Sequence, residues 1–316
     1  MYLNELDQYD SITIQAHDNP DADAIASGYA LYVYFQAKGK NVSLIYSGRY
    51  RIQKTNLKLM IDKLGIPIEY RQMQAGPVSG LLITVDCQYG AGNVYPFAAD
   101  AIAVIDHHQK EIHTSKLVSW EIASNLGSCS TLVWRMLLDA NYPVNEDIRL
   151  GTALYYGLYR DTNQFSEICY PLDMDMRDSV HYDRYIIQHL RNSNMSLKEL
   201  EIAGISMIRY IYNSDYHYAI IQAQPCDPNL LGLISDFLIQ VDELTPVWYL
   251  TNWKTDTNSQ SAVVSKKYVP VSLHSFWQQI WVLAEVMWKR QAVLLPDVNM
   301  RRNIQPFTRK VISATV

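Results

Sequence analysis

Short apolar runs alternate with amphipathic stretches through the first half of the chain, and this alternation predicts its elements. Apolar runs rich in aliphatic and β-branched residues predict strands at residues 12–16, 41–46, 81–85 and 101–105. Apolar residues at helical spacing predict helices at residues 25–35, 56–64, 130–138 and 148–159. Strands that alternate with helices predict an α/β fold built on a doubly wound parallel sheet.

Beyond residue 173 the pattern becomes helical and more polar, which indicates a linker followed by a second domain. The first clear strand of that domain is predicted at residues 218–223. Ser196 and Glu199 have the spacing of a capping box at the start of a further helix. A length of 316 residues also favours two domains. We therefore expect a larger α/β domain with its helical linker over residues 1–190, and a smaller α+β domain over residues 200–316.

Composition and charge narrow the class of protein. A hydrophobic content of 48% and a charged content of 19% are ordinary for a globular chain. The polar, acidic start and the lack of a long apolar run predict a cytoplasmic protein without a membrane segment. The four cysteines have no paired spacing and are expected to be reduced thiols. A net charge of −5 argues against a broad nucleic-acid surface but permits one short strand in a cleft.

Acidic and imidazole residues follow the predicted strands at the point where each strand ends, and one more acidic residue ends a helix. They are His17, Asp21, Asp23, Asp86, Asp106, His107, His108 and Asp161. In a parallel sheet, ligands collect at the carboxyl ends of the strands, so these residues should converge. A single aspartate at such a place is as often a helix cap or turn residue. The ordered set instead predicts a metal centre, and mixed Asp/His ligands suit Mn²⁺.

The ordered segments His17-x-x-x-Asp21-x-Asp23, Asp86, Asp106-His107-His108 and Asp161 resemble the four motifs of the DHH phosphoesterase superfamily, over roughly residues 10–165. That superfamily includes RecJ-like exonucleases, nanoRNases, cyclic-dinucleotide phosphodiesterases and family II pyrophosphatases. The resemblance is closest to the nanoRNase, oligoribonuclease and bisphosphate-nucleotide phosphatase members. It implies a hydrolase with two manganese ions (Mn²⁺) in its active site, with Mg²⁺ or Co²⁺ as alternatives.

The resemblance also implies a role for each residue. It assigns one metal to His17 and Asp21, and the other to Asp23, His107 and Asp161, with Asp86 bridging the two. Three residues are implied to be catalytic, namely Asp86, Asp106 and His108. Asp106 would fix the tautomer of an imidazole, and His108 would stabilise or protonate the substrate phosphate. Two such cations bind a bridging water, lower its pKa and clamp the attacking and leaving oxygens.

Three further residues are candidates for substrate binding. Ser128 and Ser130 precede or begin a predicted helix, where amides and hydroxyls could hold a phosphate, although an ordinary N-cap explains them equally well. Arg51 lies in a basic stretch that could face an anionic substrate, although such stretches are more often solvated surface.

We expect hydrolysis of short RNA or DNA oligonucleotides, of linear dinucleotides, or of 3′,5′-bisphosphate nucleotides. The alternatives are an inorganic pyrophosphatase or exopolyphosphatase, and a catalytically disabled nucleotide-binding relative. A small polyanion would require a strongly basic second domain, yet Arg209 is the only Lys or Arg between residues 203 and 242. The sequence is compatible with a homodimer.

The tail beyond about residue 243 has an atypical composition. All 13 glycines lie at or before Gly232. Residues 1–243 contain 18 Lys or Arg against 29 Asp or Glu, whereas residues 244–316 contain 9 against 3. The tail lacks the glycine-rich Gly-Gly-Gly-His segment with which nanoRNase-like members grip a nucleotide. Synonymous codons for Val282–Leu294 can encode Ser-Gly-Gly-Gly-His in a neighbouring frame. We therefore hypothesise a frame slip near residues 243–246, against the alternative of a divergent substrate domain.

Overall fold

The computed structural model describes residues 2–109, 116–193 and 195–214. Of the remainder it describes residues 218–224, 226, 230, 234, 237–238, 241, 247–251 and 261–265. The proposed frame slip near residues 243–246 and the segment Val282–Leu294 lie outside the described residues. The chain divides into two compact units, Met1–Gly204 and Ile205–Val316.

The first unit contains a six-stranded sheet in which all neighbouring strands are parallel. Its strands are β1 (Ser11–Ala16), β2 (Asn41–Tyr46), β3 (Ile68–Tyr70), β4 (Leu81–Val85), β5 (Ala101–Asp106) and β6 (Leu117–Ile122). Their spatial order is β3-β2-β1-β4-β5-β6, so the direction of progression reverses between β1 and β4. The predicted α/β fold with a doubly wound parallel sheet is confirmed.

Helices follow three of these strands, β1, β2 and β6, and the remaining helices follow one another along the chain. The helices are α1 (Ala22–Ala37), α2 (Thr55–Leu64), α3 (Cys129–Asp139), α4 (Ile148–Asp161), α5 (Pro171–Ser179), α6 (Arg184–Asn192) and α7 (Leu197–Ile208). Short 3-10 helices occupy Leu3–Leu6 and Val144–Glu146. The predicted capping box at α7 is confirmed, because Ser196 and Glu199 exchange side-chain-to-backbone hydrogen bonds. Among the described residues, no helix combines the length and apolarity needed to cross a membrane.

The two faces of the sheet are covered differently. Alternate residues of β4, such as Ile83, pack in one large core with residues of all six helices α1–α6. The intervening residue Leu82 faces the other side, as successive strand residues must. There it packs with Val78, Phe97 and Ala99, which belong to irregular segments before and after β4. An irregular connection thus takes the place that a helix occupies in most doubly wound sheets.

The second unit contains a four-stranded mixed sheet in the order β10-β9-β8-β7. Its strands are β7 (Ile211–Asn213), β8 (Tyr218–Ala223), β9 (Val247–Thr251) and β10 (Ser261–Ser265). β8 and β9 are parallel, and the other two pairs are antiparallel. Strand β8 coincides with the strand predicted at residues 218–223.

Candidate metal centre

Three of the six residues predicted as metal ligands lie at the carboxyl ends of three strands of the sheet, together with His108. His17 follows β1 directly, Asp86 follows β4, and His107 and His108 follow β5. Since β4 lies between β1 and β5 and all three are parallel, their ends bring these side chains to one edge. This edge includes the point where the strand order reverses, which is where α/β sheets usually bind their ligands.

Two more aspartates reach the same edge from the start of α1. Oδ1 of Asp21 caps this helix by accepting the backbone N–H groups of Asp23 (2.9 Å) and Ala24 (3.0 Å). Its other oxygen, Oδ2, lies 4.0 Å from Nε2 of His17. Asp21 therefore combines the role of an N-cap with a place beside the histidine.

The potential ligand atoms, which are carboxylate oxygens and imidazole nitrogens, form three overlapping groups. Within each group all of these atoms lie within 4.8 Å of one another. The first group is His17, Asp21 and Asp86; the second group is Asp23, His107 and Asp161; a third contains Asp86, His107 and His108. Asp86 links the groups, with Oδ2 3.8 Å from Nε2 of His17 and Oδ1 3.4 Å from Nε2 of His107. The structure thus brings all six predicted ligands together and places Asp86 between the two predicted metal positions.

The imidazole of His107 is oriented by a backbone carbonyl. Its Nδ1 donates to the carbonyl oxygen of Leu126 at 3.1 Å, in the segment between β6 and α3. Its Nε2 lies 3.2 Å from Oδ2 of Asp161. A neutral imidazole carries one proton, so this arrangement gives Nε2 the lone pair with which histidine binds metals.

The imidazole of His108 is anchored by the buried carboxylate of Asp106. Nδ1 of His108 donates to Oδ1 of Asp106 at 2.8 Å. Oδ2 of Asp106 in turn accepts Nε2 of Gln88 at 2.7 Å, and the same amide donates to the carbonyl oxygen of Gln109. The side chain of His108 is 59% exposed. A ring held through Nδ1 and open to solvent is suited to present Nε2 to a substrate.

The carboxylate of Asp23 is buried against the first turn of α3. It accepts the backbone N–H groups of Cys129 (2.6 Å) and Ser130 (2.9 Å). Ser128 caps the same helix by accepting the N–H of Thr131, and both serines are 0% exposed. These contacts favour the alternative of an ordinary N-cap, because the amides at this helix terminus hold Asp23 and both serines are buried. The substrate role of Ser128 and Ser130 stays a prediction.

Arg51 lies on the segment that follows β2. Its guanidinium is 4.9 Å from the ring centroid of Tyr70, whose hydroxyl donates to the carbonyl oxygen of Gly48. Gly48 approaches Asp18 so closely that a Cβ there would lie 2.7 Å from that of Asp18. Asp18 follows His17, so the segment borders the ligand edge, and the substrate role of Arg51 stays a prediction.

Burial and mutual repulsion shift the protonation of the cluster. Burial, followed by the charge of Asp161, raises the pKa of Asp23 to about 7. Burial also raises the pKa of Asp86 well above its usual value. Burial alone would lower the pKa of His107, but its close contacts with the carboxylates of Asp161 and Asp86 outweigh this effect and raise the pKa to about 12. Carboxylates that are packed this closely disfavour one another's charged forms.

The donor set fits divalent cations. Oδ1 of Asp86 is buried and accepts no hydrogen bond of good geometry from a described residue. Burying an acceptor without a partner costs free energy, and a bound cation would provide that partner. Carboxylates with a minority of imidazoles are the ligands that Mn²⁺ and similar metals accept. Asp86 also has a left-handed backbone (φ 58°), which ends β4 abruptly at this residue.

Three residues that support the cluster were not singled out by the sequence. Gln88 orients Asp106, as described above. Nε2 of Gln15, which is 0% exposed in β1, donates to the carbonyl oxygen of Tyr95 and ties the segment after β4 to β1. Asp173, which is 0% exposed in α5, accepts the N–H of Gly127. Gln15 left a signal, because it interrupts an apolar run; Asp173 lies in a polar stretch that resembles exposed surface.

Comparisons with known proteins agree with the motifs and the sheet. Residues 11–158 match the family model described as DHH family, N-terminal domain. Over 238 residues the chain is 23% identical to the uncharacterised protein MJ1633 of Methanocaldococcus jannaschii, a match that covers 74% of this chain and 48% of that protein. The chain thus spans about half the length of this curated relative.

Solved structures share the architecture. An exopolyphosphatase-related protein from Bacteroides fragilis superposes with a TM-score of 0.63 at 17% identity, over 84% of this chain and 82% of its own. The exonuclease RecJ, bound to manganese, gives a TM-score of 0.42 at 11% identity, over 79% and 80%. The first similarity supports the fold. Taken with the ordered ligands, the family match leads to one assignment: residues 11–158 of the chain form a DHH-family domain.

Proposed function

We propose that this chain hydrolyses phosphoester bonds in short oligonucleotides, linear dinucleotides or 3′,5′-bisphosphate nucleotides, using two Mn²⁺ ions. The observation that carries the proposal is the pair of ligand groups that meet at Asp86 beside the anchored imidazole of His108. When bound, two such cations supply positive charge at phosphorus and activate a water for attack. Mg²⁺ and Co²⁺ are the alternatives to manganese.

Each ligand group would hold one cation. His17, Asp21 and Asp86 would bind the first, and Asp23, His107 and Asp161 the second, with Asp86 shared. The raised pKa values of Asp23 and Asp86 support this role, because a cation offsets the cost of ionising a buried carboxylate.

His108 would act on the substrate phosphate, and Asp106 would position it. Its bond to Asp106 raises the pKa of His108, so the ring is held as a proton carrier with Nε2 toward the substrate. From this atom it would stabilise the phosphate or protonate the departing oxygen. Phosphoryl transfer depends mainly on such positioning and charge.

The substrate itself would be bound by groups around this edge. We assign catalysis to the first unit and nucleotide binding to the second, following the predicted domains 1–190 and 200–316. Arg51, stacked near Tyr70, would contact a phosphate of the substrate. A homodimer in the cytoplasm belongs to the same proposal, and light scattering of the purified chain tests the oligomer.

Release of mononucleotide from linear diadenylate by the metal-stripped chain, with Mn²⁺ added back, tests the proposal. Parallel assays use 3′-phosphoadenosine 5′-phosphate, pyrophosphate and polyphosphate. Asp86→Asn should abolish turnover and Mn²⁺ binding, whereas Asp175→Asn, at an exposed position of α5, should change neither. Turnover confined to pyrophosphate or polyphosphate would contradict the proposal in favour of a pyrophosphatase or exopolyphosphatase. Nucleotide binding without any turnover would favour the disabled relative.

A further inference from the structure

A buried carboxylate outside the ligand groups deserves an explanation. Asp173 lies in the first turn of α5, and its side chain is 0% exposed. Its Oδ2 accepts the backbone N–H of Gly127 at 2.9 Å, whereas Oδ1 is buried without a hydrogen bond from a described residue. The amides at the start of α5 offset part of the cost of burying this charge. The remaining cost is consistent with a residue kept for a specific contact.

Gly127, the hydrogen-bond partner of Asp173, belongs to a segment that contacts the second ligand group. This segment, residues 126–130, joins the stretch after β6 to the first turn of α3. Its carbonyl at Leu126 orients His107, and its amides at the start of α3 hold the carboxylate of Asp23. A displacement of the segment would therefore move two ligands of the same group.

The segment also packs against the third ligand of that group. A Cβ at Gly127 would lie 2.7 Å from Cγ2 of Thr162 and 3.2 Å from Oδ2 of Asp173. Thr162 is buried and follows Asp161 directly. Gly127 is thus fixed between the end of α4 and the carboxylate of α5.

We propose that Asp173 is a positioning residue for the second cation, acting through Gly127 on all three ligands of the second group. The inference rests on the proposed metal centre. His17 and Asp21 of the first group are carried by the end of β1 and the cap of α1 instead. Removing the acceptor at position 173 therefore weakens binding of the second cation and leaves binding of the first largely unchanged.

Calorimetric titration of Mn²⁺ into the metal-free full chain measures the binding steps directly, without an activity assay. His17→Ala and Asp161→Ala identify the steps that belong to the first and second groups. Asp173→Ala should weaken the second-group step by about 10–100-fold, the usual effect of losing a group that orients a metal ligand. Asp173→Asn keeps an acceptor oxygen for Gly127 and should restore most of the affinity. Asp175→Ala, exposed on the same helix, should alter neither step.

The outcomes separate this inference from the proposed function. A wild-type chain that binds no Mn²⁺ would overturn the metal centre itself. If the wild type shows two Mn²⁺-binding steps and Asp173→Ala weakens both of them or neither, only the positioning role is overturned. The same holds if Asp173→Asn binds Mn²⁺ as weakly as Asp173→Ala. If Asp173→Ala does not fold, Asp173→Leu retains the volume without the acceptor. Loss of folding in both would assign Asp173 to general stability and overturn the inference.

Discussion

Gly157 on α4 lies so close to Asp23 on α1 that any side chain at position 157 would press on the carboxylate. A Cβ there would be 3.0 Å from Oδ1 of Asp23 and would overlap Oγ of Ser130. The glycine lets α4, which carries Asp161, pack on α1 beside the other ligands. Gly157→Ala should lower the free energy of unfolding by about 1–3 kcal/mol, as overpacking does, and weaken Mn²⁺ binding.

Gly204→Ala is the matched control for this substitution. Gly204 is also helical, in α7, and apart from its chain neighbours and the backbone of its own helix no described residue has an atom within 4 Å of a Cβ placed there. Alanine should therefore leave Mn²⁺ binding unchanged and add up to about 1 kcal/mol of stability. Urea denaturation compares the two variants, and equal losses in both would show that close packing at Gly157 is not the cause.

Asp86→Asn should have opposite effects on stability with and without metal. A carboxyl whose pKa rises on folding destabilises the native state at a pH above its unfolded pKa, because its charge is buried. The neutral amide removes this penalty, so the metal-free variant should be more stable than the metal-free wild type. Added Mn²⁺ should stabilise only the wild type. Thermal melts in chelator and in Mn²⁺ test both statements, and a less stable metal-free variant would contradict the first.

Gln88 should matter for turnover more than for metal binding, because its amide anchors Asp106, which orients His108 and is not a proposed metal ligand. Gln88→Ala should reduce kcat by about 10-fold through a less well oriented His108. Gln88→Glu should reduce it further, since a second carboxylate would repel Asp106. Steady-state kinetics at saturating Mn²⁺ measure the effect, and a loss of Mn²⁺ affinity equal to the loss of kcat would argue against this role.

The turn after Asp161 has three consecutive left-handed residues, and it should tolerate glycine better than alanine. Asn163, Gln164 and Phe165 have φ angles of 46°, 60° and 71°. Asn163 is exposed, so its substitution chiefly reports on the backbone. Asn163→Ala should be about 1 kcal/mol less stable than Asn163→Gly, because only glycine enters this region without a steric cost. Equal midpoints of urea unfolding would contradict this expectation.

The frame hypothesis is tested by the DNA that encodes the chain. Read in the neighbouring frame, the codons for Val282–Leu294 should give the glycine-rich string, and the change of frame should map near residues 243–246. Codons that cannot give this string would leave a divergent tail as the explanation. If the string is present, a chain retranslated through the shift should release mononucleotide from linear diadenylate faster than the chain studied here.

The strand ends that carry the ligands could be predicted because each follows a buried apolar run. The predicted bounds of β2, β4 and β8 agree with the structure, and β1 and β5 differ by one residue. β3 and β6 were missed for physical reasons. β3 has only three residues, and β6 is an edge strand whose Val118 and Trp120 are 50% and 46% exposed, so neither forms a continuous apolar run.

Contacts between distant segments could not be predicted in the same way. Asp173 and Gly127 are 46 residues apart, and neither has a local pattern that indicates the other. Ser128 shows the converse limit of a local pattern. Its spacing before a helix suits a phosphate site, but the three-dimensional packing places the carboxylate of Asp23 at those amides.

The bond between Asp23 and Cys129 joins residues 106 positions apart, which bears on how the protein matures. Closing so long a loop is entropically unfavourable until the surrounding core can compensate, so this contact belongs to the later stages of folding. The second ligand group also requires Asp161, so a nascent chain cannot complete it before that residue has left the ribosome. Metal loading should therefore follow translation of the domain instead of guiding it.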